Sequence, residues 1–313
     1  GAPPLTSVAM LRIETLRTLS GADSKAITVM LDAAEAHDGF PPLSDHLLLE
    51  LERPGPDFVA LKAVDDANET FAGYAQLAKT NDSTAIEIVI PPGGRDDFES
   101  VTTQLLRTAL DVVASEGGGT VYWWVHHPDE RVDAVARQVG LRLGRRLLQM
   151  RRPLPITETT SVDTRAFVVG RDEAEWVRVN NAAFHDHPEQ GGWTVATLEQ
   201  REAEPWFDPA GFLLHERDGK LAAFCWTKVH ADVEPPMGEI YVIAVDPEFH
   251  GLGLGKALTV AGLENIAARG LTVGMLHVDA ANTAAMGLYT SLGFTVHHED
   301  HAYVADNTRS AHP

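Results

Sequence analysis

Hydrophobic and polar positions switch between two periods along the chain, and the switches mark the elements. Residues 10–16 carry an extended pattern and 20–36 a helical one, and Ser44-Asp45 is a cap for a second helix. Residues 58–64 and 71–78 read as paired strands around a turn at 65–69, and 86–90 as a central strand. A helix over 98–115 stops at Gly117-Gly118-Gly119, followed by a strand at 121–125, a helix at 130–139 and a strand at 141–150. Arg151-Arg152-Pro153-Leu154-Pro155 breaks regular structure and is the expected linker. The order then repeats. A strand at 165–169 leads to helices at 172–183 and 195–204, then to a hairpin of 212–216 and 221–229 around Asp218-Gly219. One fold used twice is expected, divided as 1–150 and 151–313.

The second copy holds the stretch on which the chemistry turns, EIYVIAVDPEFHGLGLG from Glu239 to Gly255. Ile240, Tyr241, Val242, Ile243 and Val245 make a strand, and Asp246-Pro247 ends it. Gly251, Gly253 and Gly255 follow, and Leu254, Leu258 and Ala261 start a helix. A strand, a glycine turn and a helix N-terminus leave amide N–H groups unpaired and pointing outward, which suits an anion such as a diphosphate. Neither the dinucleotide G-x-G-x-x-G nor the P-loop pattern fits: Lys256 or Leu258 stands at a required glycine, His250 at another, and Ala257 at the P-loop hydroxyl. A further strand at 273–278 runs into DAANTAAMGLYTSLGF. There Asn282 is an N-cap, Gly293 is a stop, and Tyr289 lies about two turns from Asn282.

The repeat is unequal. Where the second half has its glycine turn, the first has Pro91-Pro92-Gly93-Gly94-Arg95-Asp96-Asp97-Phe98, with acidic residues at the would-be phosphate position. Matching Val139-Gly140-Leu141 with Leu292-Gly293-Phe294 puts Ala136 opposite Tyr289. The first half is therefore expected to be a degenerate, non-catalytic support.

Charge narrows the function. With 25 Lys+Arg against 45 Asp+Glu, the formal charge of -20 opposes nucleic-acid or anionic-membrane binding. The one cysteine, Cys225, excludes an internal disulfide and a Cys-rich metal site. His187, His230 and His277 are not at metal-ligand spacing, and no H-E-x-x-H occurs, so no metal is expected. Without a basic-then-apolar leader or an apolar run of spanning length, a cytoplasmic monomer acting on a small molecule is expected.

The loop H-G-L-G-L-G after V-D-P and the later N-x-x-A-x-x-x-Y-x-x-x-G-F resemble the two signatures of the GNAT acetyltransferases. The stretches HPEQGGW, PWFDP, WTKVH and LLQMRRPL resemble the mycothiol synthase family more closely, whose members are tandem acetyltransferases. The resemblance implies an α/β fold of two tandem GNAT domains, each a mixed central sheet flanked by helices, the second being catalytic and binding acetyl-CoA. It implies acetylation of the cysteinyl amine of cysteinyl-glucosaminyl-inositol. By the same resemblance Asp45, Glu189, Lys228, Glu239 and His277 face the acceptor. Ile243, Ala244 and Val245 lend backbone to the pantetheine arm. His250, Gly251, Leu252, Gly253, Leu254, Gly255 and Lys256 hold the diphosphate. Asn282, Thr283, Ala284, Ala285, Met286 and Gly287 meet the end of the cofactor, and Tyr289 faces the thioester sulfur.

The chain departs from the family pattern at Gly251 and Leu252, where arginines are usual, at His277, where tyrosine is usual, and at Asp45, where a glutamate is usual. An α-amine with a pKa of roughly 7.7–8.0 is partly neutral near pH 7, so Glu239 need only be a mild base, directly or through water. A backbone N–H near Ile243 would meet the oxyanion and Tyr289 would protonate the thiolate. Cys225 reads as buried and inert. Two other readings fit the same residues: an acetyltransferase of another small amine, and an acetyl-CoA-binding protein without turnover.

Overall fold

The structure, a computed structural model, describes residues 10–80, 82–187 and 189–307. In chain order the elements are β1 (Leu11–Leu16), α1 (Gly21–Asp38), α2 (Asp45–Glu52), β2 (Val59–Asp65), β3 (Thr70–Thr80), β4 (Ser83–Val89), α3 (Phe98–Ser115), β5 (Gly119–His126), α4 (Glu130–Gln138) and β6 (Arg142–Pro153). Then come β7 (Arg165–Ala166), α5 (Glu173–Ala183), α6 (Val195–Glu202), β8 (Phe212–Arg217), β9 (Lys220–His230), β10 (Met237–Val245), α7 (Leu254–Ala268), β11 (Val273–Asp279), α8 (Thr283–Ser291) and β12 (Thr295–Asn307). They form two compact units. One takes the chain to Arg146 together with the segment from Asp300, and the other runs from Leu147 to Glu299.

In the first unit the strands lie in the order β1-β2-β3-β4-β5-β12, with β4 and β5 parallel and the other pairs antiparallel. Period-2 alternation along β3 sends Tyr74 and Ala78 to one face, against Ile27, Leu31 and Leu47 of α1 and α2, and Ala75 and Leu77 to the other, against Leu105, Leu106 and Val135 of α3 and α4. The parallel pairing of β4 with β5 ends at Ile86↔Trp123. Just beyond it the buried Glu87 accepts from Ser44 N (2.9 Å) and Ser44 Oγ (2.6 Å) and pairs with His126 Nε2 (2.8 Å). His126 Nδ1 pairs in turn with Asp300 (3.3 Å). Ser44 is thus the N-cap residue of α2 by position, but its hydroxyl binds Glu87 instead of the helix amides.

The second unit repeats the plan in the order β6-β11-β10-β9-β8-β7, with β10 and β11 parallel. One face of its sheet carries α7 and α8 over Cys225, Ile240 and Leu276, and the other carries α5 and α6 over an aromatic layer of Trp176, Phe212, Phe224 and Trp226. Phe212 and Trp226 stack at 4.4 Å, and Trp176 meets Trp226 edge-on at 5.6 Å. Helix α7 lies against bare backbone. A Cβ on Gly262 would stand 2.5 Å from Cys225 Sγ, and one on Gly238 would stand 2.1 Å from Ile266 Cγ2. That close approach fixes where the N-terminus of α7 points.

Two expectations are corrected. Residues 151–155 are no linker: Arg151, Arg152 and Pro153 continue β6 opposite Met275, Gly274 and Val273, and Leu154 N donates to Thr272 O (2.9 Å). Pro153 is tolerated because it is the last residue of the strand. The division also shifts from 150/151. Residues 147–153 close the second unit, and residues 300–307, which no sequence pattern marked as a strand, pair with β5 in the first. No helix among the described residues is long and apolar enough to cross a membrane.

Candidate active site

β10 ends at Val245, and Asp246 caps a short 3₁₀ turn by accepting from Glu248 N. Arg178 of α5 clamps the other oxygen of Asp246 (3.0 Å), which fixes the exit of the strand. The chain then passes through Gly251 (φ 81°) and Gly253 (φ 72°), both left-handed, and a Cβ at either would meet nothing within 4 Å. Gly253 is the N-cap of α7 and brings no capping side chain, so the first amides of α7 have no helical acceptor. Leu252, Gly253 and Lys256 are exposed. This open cradle of outward amides at a helix N-terminus fits the diphosphate of acetyl-CoA.

Upstream, parallel pairing of β10 with β11 runs from Gly238↔Gly274 to Ile240↔Leu276. A bulge between Ile240 and Val242 then turns the strand, and Ile243, Ala244 and Val245 pair with Cys225, Phe224 and Ala223 of β9. The half-buried edge of those three residues toward β11 leads to the glycine turn.

Glu239 lies deeper on β10, opposite Lys228 of β9 and Met275 of β11, and is 6% exposed. Its Oε1 pairs with His230 Nε2 at 2.7 Å and its Oε2 with His277 Nδ1 at 3.4 Å. Burial pushes the carboxyl up, but the two imidazoles outweigh it and hold Glu239 well below the usual carboxylate range. Lys228 Nζ sits over the Trp206 ring (4.5 Å) and the Tyr241 ring (5.4 Å), and Arg201 of α6 donates to the Tyr241 hydroxyl (3.2 Å).

Asn282 caps α8 by accepting from Ala285 N (3.1 Å), which leaves Thr283, Ala284 and Gly287 exposed and Ala285 and Met286 half-buried. Tyr289 is buried beside Phe294, and burial pushes its phenol up to about 12. Cys225 is fully buried, its thiol pushed up by burial to about 12, as an inert core residue requires.

Lys228, Glu239 and His277 therefore converge on three neighbouring strands. Glu189 is carried on an exposed loop, whose shape is set by Trp193 Nε1 donating to Glu189 O (3.2 Å) and by Asn181 bracketing Trp193. Asp45 is exposed at the first position of α2, in the first unit. Sequence reasoning missed His230, Trp206, Tyr241 and Arg201 as members of the cluster. His230 could have been found from the hairpin register: it lies opposite Met237 and two residues from Lys228, so it shares the face of Glu239.

Residues 176–294 match the acetyltransferase (GNAT) family. Two solved proteins share the fold over nearly the whole chain. A GCN5-related N-acetyltransferase from Sphaerobacter thermophilus has a TM-score of 0.66 and 22% identity, covering 96% of this chain and 98% of that one. A tandem GNAT protein from the clavulanic acid biosynthesis pathway has a TM-score of 0.67 and 14% identity, covering 96% and 100%. Sequence relatives are nearer. The mycothiol acetyltransferase of Thermobispora bispora is 44% identical over 91% of this chain and 96% of its own length. Those of Streptomyces avermitilis (43%, covering 93% and 94%) and Nocardia farcinica (39%, covering 95% and 98%) extend the match. With the glycine cradle, the buried glutamate and the tyrosine helix on one GNAT unit, and relatives of 39–44% identity matched over 91–95% of this chain, the chain belongs to the mycothiol acetyltransferase family.

Proposed function

We propose that this chain transfers the acetyl group of acetyl-CoA to the cysteinyl amine of cysteinyl-glucosaminyl-inositol, forming mycothiol, and that the second unit carries the reaction. The observation that supports it best is one continuous arrangement. The open glycine cradle leads along the free edge of β10 to a buried carboxylate bracketed by imidazoles. Acetyl-CoA supplies an acetyl group activated as a thioester. The amides from Gly251 to Lys256 hold its diphosphate, Ile243, Ala244 and Val245 align the pantetheine arm, and the first turn of α8 from Asn282 to Gly287 flanks it. Lys228 and Glu189 bind the hydroxyl-rich acceptor, with Trp206 and Tyr241 as its apolar wall. An N–H near Ile243 meets the oxyanion. Glu239 and its imidazoles form the base side, and Tyr289, neutral at physiological pH, protonates the departing thiolate.

The first unit serves as an inert support in this reading. Asp97 stands at the N-cap of α3, where the second unit has Gly253 before α7, and Glu87 with His126 bridges β4 and β5 just where their pairing stops. The test is release of free thiol from acetyl-CoA against a panel of amines. Preferred turnover of the cysteinyl-glucosaminyl-inositol amine is expected. Preference for an aminoglycoside or polyamine, or tight cofactor binding with no turnover of any amine, would reject the acceptor assignment.

A further inference from the structure

We propose that Arg151 is a specificity-determining residue of the acceptor site: its guanidinium donates to hydroxyl groups of the acceptor's sugar portion, and Gln149 is the positioning residue that aims it. The proposal deepens the reading above and rests on it for the identity of the acceptor. Glu239 keeps its place at the amine.

Three observations carry it. The first is strand register, which sets four residues in one row across the sheet. Lys228 of β9 stands opposite Glu239 of β10, Glu239 opposite Met275 of β11, and Met275 opposite Arg151 of β6. The adjacent row of Ile240, Leu276 and Met150 belongs to the core under α7 and α8. The row of Arg151 therefore faces the other way, onto the side that holds Trp206 and Tyr241 around Lys228. Neighbouring strands lie about 4.8 Å apart, so Lys228 is rooted about 5 Å to one side of Glu239 and Arg151 about 10 Å to the other. With the amine at Glu239, the nearer span falls within the cysteinyl group and the farther one reaches the rings attached to it.

The second is the direction of the side chain. Arg151 Nε donates to Gln149 Oε1 at 2.8 Å, two residues back on the same face of β6. Gln149 is buried and stands opposite His277, just past the last paired residues of β10 and β11. The bond lays the guanidinium along β6 toward the end where those strands part, which is also the end of the Ile243 to Val245 edge.

The third is charge. Arg165 and Arg178 of the same unit are held by carboxylates, which raise them above the usual guanidinium range. Arg152, next in sequence, donates to the carbonyls of Pro153 and Leu292. Among the described residues no carboxylate pairs with Arg151, and burial alone pushes it down. His297 of β12 is pushed down by burial, then by Arg151 and His298, and adds no negative charge. In a chain of formal charge -20, a half-buried guanidinium whose partner is an amide keeps its planar fork for a ligand. The carboxylate of Glu239 in the same row disfavours an anion, so adjacent hydroxyl oxygens are the better match.

The test compares acceptors on the full chain. Arg151→Ala should lower kcat/KM for cysteinyl-glucosaminyl-inositol by roughly 10- to 100-fold through the acceptor KM, leaving the acetyl-CoA KM within a few-fold. With cysteinamide, which carries the amine but no rings, kcat/KM should be alike in wild type and variant. Arg151→Lys keeps the charge without the fork and should recover only a small part of the loss. Gln149→Ala should raise the same KM by less. An unchanged acceptor KM, an equal loss with cysteinamide or full rescue by lysine overturns the proposal. So does a greater loss with free cysteine than with the ringed acceptor, which would assign the fork to a carboxylate. Calorimetric titration with glucosaminyl-inositol, the rings without the cysteinyl group, reads Arg151 apart from turnover. Weaker binding to Arg151→Ala than to wild type is expected, and equal binding, or none to the wild type, overturns the proposal. If the wild type binds those rings but does not acetylate the cysteinyl amine, the reaction reading fails by itself.

Discussion

Gly253 combines two features, a left-handed φ of 72° and an open face on which a Cβ would meet nothing within 4 Å. Gly253→Asp is expected to abolish acetyl-CoA binding by calorimetry, because a carboxylate would stand among amides meant for phosphate. The protein should stay folded: a Cβ added there meets nothing within 4 Å, and the strain of a non-glycine residue there is of order 1–3 kcal/mol. At Tyr289 burial changes the pH dependence a free phenol would give. A free phenol would end its activity near pH 10, but burial moves the group up to about 12. The wild type should therefore show no alkaline limb from this residue between pH 6 and 10. Tyr289→Phe should lower kcat evenly across that range by roughly 10²-fold or more. A loss confined to one end of the profile would move Tyr289 out of the proton-donor role. Residues such as Gly253, Asn282 and Tyr289 were legible because local spacing alone fixes their place on a turn or helix. His230 was not, since its place beside Glu239 depends on the register of a hairpin whose six-residue loop hides the pairing.

Among the elements, α7 sits where it does because Gly262 and Gly238 leave room for it. A Cβ at Gly262 would press on Cys225 Sγ at 2.5 Å and Ile240 Cδ1 at 2.8 Å. Gly262→Ala is expected to cost about 1–3 kcal/mol in denaturant melts, although alanine is the better helix former by roughly 1 kcal/mol. Cys225→Ala should be partly compensating in the double variant, since it removes the atom in contact. Strictly additive losses would mean that the helix shifts as a whole instead. Long periodic elements such as α3, and the β8–β9 hairpin around Asp218-Gly219, were readable from pattern and turn chemistry. β12 was not. Its first half is TVHHED, with Val296 exposed, and its buried apolar residues Ala302, Tyr303 and Val304 come late and in succession, not in alternation. The run Arg151 to Pro155 misled in the opposite sense: prolines that mark breaks in isolation here sit at and just beyond the end of a strand.

For the molecule as a whole, the first unit is closed by a segment that follows the second in sequence. Asp300 joins the Glu87–His126 network, and residues 300–307 pair with β5. Burial works against a charge on His126, but hydrogen bonds to Asp300 and Glu87 overcome it and raise the ring from 6.5 to about 10. Because the folded value lies above the unfolded one, this stabilisation is complete below about pH 6.5 and is lost as pH rises toward 10. The melting temperature of the first unit should fall over that interval, and His126→Gln should flatten the fall; an unchanged slope would remove His126 as its source. A chain ending at Glu299 should likewise lose the first unit, as seen by hydrogen exchange in β4 and β5, and a peptide of residues 300–307 added in trans should restore protection in part. The late arrival of β12 also sets an order for synthesis. At roughly 5–20 residues per second, about 150 residues, or some 8–30 s, separate the emergence of Arg146 from that of Asp300. Throughout that interval the nascent first unit offers β5 as an uncovered edge, open to strands of other chains. Its yield in the cell should depend on ribosome speed and on chaperones that shield that edge, in a way that purified, full-length protein never reveals.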